Sequence, residues 1–171
     1  PTPSAGSVCT GGNVSAVATA GSGGTGTITD VLEYRLDGGS WTTYTSGNNL
    51  ATSGHTSVDV QTYRTATGGG CTTSIPTTVS WAVNAQPTSG TFPPTPPAGA
   101  VCGGGTVSAT FSAGAGGAGT IADVLEYRYD GGSWNTYTAG NSISTGGHSS
   151  VDIQTYRTAT GDACSTSSTN T

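Results

Sequence analysis

One sixteen-residue pattern occurs twice and limits what the chain can fold into. Asp30-Val-Leu-Glu-Tyr-Arg-Leu-Asp-Gly-Gly-Ser-Trp-Thr-Thr-Tyr-Thr45 returns as Asp123-Val-Leu-Glu-Tyr-Arg-Tyr-Asp-Gly-Gly-Ser-Trp-Asn-Thr-Tyr-Thr138. Two runs of strand-forming residues flank Asp-Gly-Gly-Ser, which is the pattern of a β-hairpin. With Gly38-Gly39 at the tip, Leu36 faces Trp41, Tyr34 faces Thr43 and Leu32 faces Thr45. Strand side chains alternate. Leu32, Tyr34 and Trp41, with Leu125, Tyr127 and Trp134 in the second copy, are therefore expected on the core face. Val31, Glu33, Arg35 and Tyr44 are expected on the water face.

The pattern belongs to a longer repeat. A shift of 93 residues lays Pro94–Thr171 on Pro1–Thr78 without a gap, with about two thirds of positions identical. A period of that length suits whole small domains rather than solenoid turns. Strands are expected near Val8-Cys9, at 14–20, 27–36 and 41–45, near Leu50, at 57–67 with Val58 and Val60 inward, and at 77–83 with Trp81. Turn signals separate them, as in an all-β sandwich. The resulting division is a first repeat at 1–84, a proline-rich linker at 85–100 that belongs to the period, and a second repeat at 101–171. The second repeat has no counterpart of Val79-Ser-Trp-Ala-Val83. Pro87, Pro93, Pro94, Pro96 and Pro97 make the linker semi-rigid. The missing strand reads first as an arbitrary boundary of this piece of the chain; the sharper alternative is an open edge that takes a strand from a neighbouring chain. The opening Pro1-Thr-Pro reads as linker, so the chain is expected to be an internal piece of a longer protein.

Charged residues make up 8% of the chain and the net charge is −5, from four arginines and nine acids. That balance lacks the basic stripe a nucleic acid requires. No apolar run approaches membrane-spanning length. The cysteines, one pair per repeat, are too far apart for a zinc ribbon or a redox pair. They read as disulfides of an oxidising compartment. Of three connectivities, Cys9–Cys71 with Cys102–Cys164 makes each repeat self-contained; a Cys71–Cys102 bridge between neighbours also repeats without leftovers.

No catalytic signature is present. His55 and His148 stand alone in Gly-His turns, and the glycine runs lack the lysine and helix of a phosphate cradle. No cofactor is expected. Calcium would have to come from acids at strand ends, because Asp30, Glu33, Asp37 and Asp59 lack close ligand spacing. The best recognition feature is aromatic. Tyr44 and Tyr137, read as outward, with Tyr63 and Tyr156 beside them, form a candidate binding surface.

Tyr34-Arg-Leu-Asp-Gly-Gly-Ser-Trp41, Tyr44, Gly54-His55 and Val58-Asp-Val60 together resemble bacterial immunoglobulin-like surface repeats. The cysteine-bearing, threonine- and glycine-rich version is similar to repeats of very large adhesins secreted by Bacteroidetes through the type IX system. The resemblance implies tandem immunoglobulin-like sandwiches with Tyr34 and Trp41 as core residues, in a cell-surface filament outside the cell. It brings no catalytic residues, so no enzyme activity is expected. The expected function is a structural module that extends a stalk and supports attachment. Its partners would be neighbouring repeats, identical chains in a multichain filament, and surface glycans or a prey or host surface, without membrane insertion. The alternatives are a glycan- or protein-binding module and an accessory repeat of a secreted enzyme.

Overall fold

The computed structural model describes residues 1–171. It is all β, with thirteen strands and no helix. No helix is therefore long and apolar enough to cross a membrane. The strands are β1 Gly6–Cys9, β2 Asn13–Val14, β3 Ile28–Leu36, β4 Thr42–Thr43, β5 Leu50–Ala51, β6 Ser57–Ala66, β7 Thr77–Asn84, β8 Pro94–Thr95, β9 Thr106–Ala109, β10 Ile121–Tyr129, β11 Asn135–Thr136, β12 Ile143–Ser144 and β13 Val151–Ala159. The chain divides into two compact units, Pro1–Ala85 with Gly161–Ala163, and Gln86–Thr160 with Cys164–Thr171.

In the first unit a five-stranded sheet runs β1-β7-β6-β3-β4, and β2 pairs with β5 in a second small sheet. Only the β1–β7 pairing is parallel. The long valine-, tyrosine- and threonine-rich runs make the centre of the sheet because β-branched and aromatic side chains suit a half-buried pleat. Their inward residues build one core: Val8, Val14, Tyr44, Val58, Val60, Trp81 and Val83, with Leu32, Tyr34, Leu36 and Leu50 packed against it. Trp81 is fully buried, and its indole N–H donates to the Pro3 carbonyl at 3.1 Å. At the edge, the Cys9 N–H donates to the Asp162 carbonyl at 2.8 Å, which places Gly161–Ala163 beside β1. The expected strands at 27–36, 57–67 and 77–83 appear nearly as read. The one expected at 14–20 is only Asn13–Val14.

The second unit has a sheet β11-β10-β13 and a sheet β12-β9-β8. Its core contains Ala109, Tyr137 and Ile143, with Phe92, Leu125, Tyr127, Val151 and Ile153 around them. Residues 86–99, expected as linker, are part of this unit. Thr88 and Thr91 bridge to Ala115 and Ser112, and Pro94–Thr95 pairs with β9. Prolines permit this because only their carbonyls are needed: Pro93 accepts the Thr110 N–H at 3.3 Å.

The hairpin register departs from expectation by one residue. The Gly39 N–H donates to the Leu36 carbonyl at 2.9 Å across Asp37 and Gly38, whose φ values are 53° and 69°. Two central residues at positive φ, with the sequence Asp-Gly, make the primed turn that hairpins favour. The tip is thus Asp37-Gly38 rather than Gly38-Gly39. Continuing from this turn would place Glu33 opposite Thr42, but Glu33 pairs with Thr43. One extra residue therefore lies in the return strand between Gly39 and Thr43, which is a β-bulge. The bulge puts Tyr44 opposite Leu32, on the core side, and Trp41 opposite Arg35, on the outer side. Tyr44 is 5% exposed and Tyr137 is 6% exposed. Trp41 and Trp134 are outside the cores.

The cysteine pairing also differs. Cys71 and Cys102 are free thiols, whereas Cys9 and Cys164 are each in disulfide form. Neither within-repeat bridge forms, nor does Cys71–Cys102. The topology explains why Cys9 and Cys71 stay apart. Cys9 pairs with Asn84, on the Ser57 side of the sheet, whereas Cys71 follows the Ala66 end of β6. Ten strand residues separate those ends by about 30 Å, far beyond the roughly 7 Å that a disulfide spans between Cα atoms.

Two measurements check this fold. Trp81→Ala is expected to destabilise the first unit by about 3–5 kcal/mol, read from urea unfolding followed by circular dichroism. Alkylation of denatured, unreduced protein is expected to label Cys71 and Cys102 and spare Cys9 and Cys164; a recovered Cys9–Cys71 peptide would contradict the topology.

Candidate functional surface

The residues repeated most strictly hold the scaffold together. Tyr44 lies on the return strand just past the bulge, and its hydroxyl faces the β2 end of the core. The Ala16 N–H donates to that hydroxyl at 3.0 Å, and the hydroxyl donates to the Asn48 carbonyl. Tyr137 repeats this, accepting from Ala109 N–H at 2.7 Å and contacting the Asn141 carbonyl at 2.9 Å. Tyr44 ties the residues after β2 to the loop around Asn48, and Tyr137 ties the end of β9 to the loop around Asn141. Tyr44 and Tyr137 are thus interior braces, not the outward binding surface expected of them. Tyr63 and Tyr156 are half-buried and stand opposite Val31 and Val124 on the outer face.

Thr52 escaped the sequence reading. It is 1% exposed, and its hydroxyl meets the Cys9 and Gly12 carbonyls at 3.3 and 3.0 Å while accepting the Gly12 N–H at 3.1 Å. Thr145 repeats two of these contacts, to Cys102 and Gly105 at 3.1 Å each. In a threonine-rich chain, nothing in the sequence marks these two apart from their equal spacing in the repeat.

On the outer face Arg35 stacks over the Trp41 ring at 4.6 Å and pairs with Asp59 at 2.8 Å. Arg128 does the same with Trp134 at 4.5 Å and Asp152 at 2.9 Å. Beside them the Gln61 amide donates to Glu33 at 2.9 Å. At the far strand end Arg64 forms a two-pronged pair with Asp30, 2.7 Å at each contact, and its third donor reaches the Gly23 carbonyl. The paired hydrogen bonds hold Asp30 below its ordinary carboxylate range. Arg157 and Asp123 repeat the arrangement.

Asp37 joins the hairpin tip to the loop before β6. Its carboxylate accepts from His55 Nδ1 at 2.7 Å, from the Thr56 N–H at 2.6 Å and hydroxyl at 2.8 Å, and from the Ser57 N–H at 3.2 Å. An ionised carboxylate only accepts, so His55 Nδ1 carries the proton. The His55 hydrogen bond, followed by those from Thr56, holds the Asp37 carboxyl well below the usual range. Asp130 is lowered in the same way, chiefly by the Ser149 hydroxyl and then by His148. His55 and His148 are turn residues whose Nδ1 atoms meet a carboxylate. Cys71 rests against Thr25, Sγ to Oγ1 at 3.3 Å, and that hydrogen bond lowers its thiol pKa.

The first-repeat acids singled out for calcium, Asp30, Glu33, Asp37 and Asp59, are each engaged by a cation or an amide. No three His, Cys, Asp or Glu residues converge in a way that could hold a metal ion. Chemically, the repeated arrangement clamps strands and loops. Comparison with protein families, with curated proteins and with solved structures finds no match to this chain.

Tyr44→Phe leaves the buried Ala16 N–H without its acceptor and is expected to cost about 1–3 kcal/mol, measured by denaturant unfolding. The depressed Asp37 and Asp130 carboxyls contribute stability that is complete above the unfolded value of about 3.9 and is lost as pH falls below it. The difference in thermal midpoint between the native chain and the Asp37→Asn, Asp130→Asn double variant should therefore shrink below about pH 4. A difference independent of pH would remove the clasp from the account.

Proposed function

We propose that the chain is a structural repeat segment of an extracellular bacterial adhesin or cell-surface filament, built from tandem immunoglobulin-like β-sandwiches that extend a stalk. The role is mechanical and not enzymatic. The observation that carries this reading is what has been duplicated. Tyr44 and Tyr137, Thr52 and Thr145, Asp37 and Asp130, and the Trp41–Arg35–Asp59 and Trp134–Arg128–Asp152 stacks are all contacts within the scaffold. Ionisable side chains are spent on cross-strand and loop clasps, which resist separation of strands. The disulfide fits an oxidising setting outside the cytoplasm, and the sequence resemblance to type IX-secreted adhesin repeats points the same way. Neighbouring repeats and identical chains are the partners this reading implies.

A second reading, a glycan- or protein-binding module, draws on one observation. Trp41 and Trp134 sit outside the cores at equivalent positions, each stacked with an arginine. Aromatic faces of this kind suit sugars and protein partners.

Electron microscopy of native, unreduced arrays longer than two repeats tests the first reading. Unbranched rods that lengthen in proportion to repeat number are expected; compact particles would overturn it. A glycan array probed with the chain and with Trp41→Ala, Trp134→Ala tests the second. Binding that the double variant loses would establish recognition as a function of the outer face.

A further inference from the structure

The hairpin of the second unit borders a cavity of about 250 Å³. That volume lies just under the range usual for drug-sized ligands and suits a molecule of one ring. Tyr127 and Tyr129, at the end of β10, supply one part of its lining. Thr138, Asn141 and Ser142 of the following loop, with Ile143–Ser144 of β12, supply much of the rest. Both parts are held in place from behind. Tyr129 stacks on His148 at 3.8 Å, with 12° between the ring planes, and meets Tyr127 edge-on at 5.5 Å. His148 is in turn tied to Asp130 at 2.8 Å. On the loop side, the buried Tyr137 hydroxyl holds the Asn141 carbonyl at 2.9 Å, and the Asn141 N–H donates to the Thr138 carbonyl at 3.0 Å.

The lining is aromatic and polar, and none of it is charged. The Tyr127 and Tyr129 phenols, the Thr138 and Ser142 hydroxyls and the Asn141 side-chain amide make no hydrogen bond within the chain. The Ser144 hydroxyl accepts the Gly146 N–H at 3.2 Å and keeps its own proton to donate. A charged ligand would find no counter-charge here, and a purely apolar one would cover these hydroxyls without pairing them. A ring with a C–H face for the tyrosines and hydroxyls for the amide and serines satisfies both parts of the lining.

Comparison of the repeats shows that the scaffold does not require this set. Leu36, Asn49 and Ala51 stand in the first repeat where Tyr129, Ser142 and Ser144 stand in the second. Each exchange brings a hydroxyl. The first repeat nevertheless keeps the tyrosine brace and the aspartate clasp.

We propose that this cavity is a binding site for a neutral pyranose ring, with Tyr127 and Tyr129 against the sugar's C–H face and Asn141, Ser142 and Ser144 hydrogen-bonded to its hydroxyls. The site uses the inward Tyr127 and Tyr129, which alternate along β10 with the outward Arg128, so it is separate from the Trp134 face. It holds independently of the mechanical role proposed above.

The probes are the methyl glycosides of glucose, galactose and mannose, titrated into the 171-residue chain and followed by nuclear magnetic resonance. At least one is expected to bind saturably, with a dissociation constant of about 1 mM, ordinary for a ligand of one ring. The shifted amides should centre on Tyr127, Tyr129, Asn141 and Ser142. The triple variant Tyr129→Leu, Ser142→Asn, Ser144→Ala carries the residues that the first repeat already accommodates, and is expected to bind about tenfold more weakly or less. Trp134→Ala is expected to leave the affinity unchanged. An oligosaccharide ending in the same sugar that binds more tightly through the same amides would identify a glycan end as the source; equal affinity would identify the free sugar. Absence of binding by all three glycosides, unchanged affinity in the triple variant, loss of binding in Trp134→Ala, or equal shifts at Tyr34 and Asn48 would each overturn the proposal. So would a proline-rich peptide that shifts these amides where the glycosides do not, because the occupant would then be a protein segment.

Discussion

The hairpin turn at Asp37-Gly38, with the single extra residue that follows it, decides which side of the main sheet each side chain of the return strand meets. A primed two-residue turn matches the right-handed strand twist, and the bulge then shifts the return strand by one residue. Side-chain direction alternates with period two, so that shift exchanges inside for outside. It sends Tyr44 into the core, where its hydroxyl can brace Ala16 and Asn48. It sends Trp41 out over Arg35. Asp37 serves the arrangement twice, adopting the left-handed backbone of the turn and presenting its carboxylate to His55, Thr56 and Ser57. The second repeat keeps the turn, the brace and the clasp, with Ser149 replacing Thr56.

Much of this fold could be read from the sequence where periodicity is strong. β3, β6 and β7 fall close to their expected limits, and Val58 and Val60 face inward, because long alternating runs leave few choices. The hairpin register was not readable, since Asp-Gly-Gly-Ser contains two candidate two-residue tips and a bulge leaves no local sequence mark. That one ambiguity reversed the roles of Trp41 and Tyr44. Residues 86–99 read as linker because proline dominates the segment, yet the N–H groups of Thr88 and Thr91 are unblocked and pair with Ala115 and Ser112. Cysteine spacing suggested self-contained repeats, yet the length of β6 places Cys9 and Cys71 at opposite ends of the sheet. Sequence distance says nothing of that separation until the topology is known.

The chain achieves order with few charges. Each arginine faces an acid across two neighbouring strands, and two of the four also cover a tryptophan. Exposed pairs of this sort contribute little singly. Their value here is positional: they hold register on the outer face while valine, tyrosine and one fully buried tryptophan fill the first core. The second unit shows the same framework without a strand over β13. There the equivalents of buried valines are partly exposed, which demonstrates how much of the first core depends on β7.

The register is the claim on which the rest stands, and one nuclear magnetic resonance measurement addresses it directly. The Tyr44 N–H donates to the Leu32 carbonyl, which makes Glu33 and Thr43 a non-hydrogen-bonded pair with closely spaced Cα atoms. A strong Hα–Hα nuclear Overhauser effect between Glu33 and Thr43, repeated between Glu126 and Thr136, is the predicted result. Cross-strand contacts that instead pair Tyr34 with Thr43 and Leu36 with Trp41 would contradict the bulged register, the interior tyrosine brace and the outward tryptophan together.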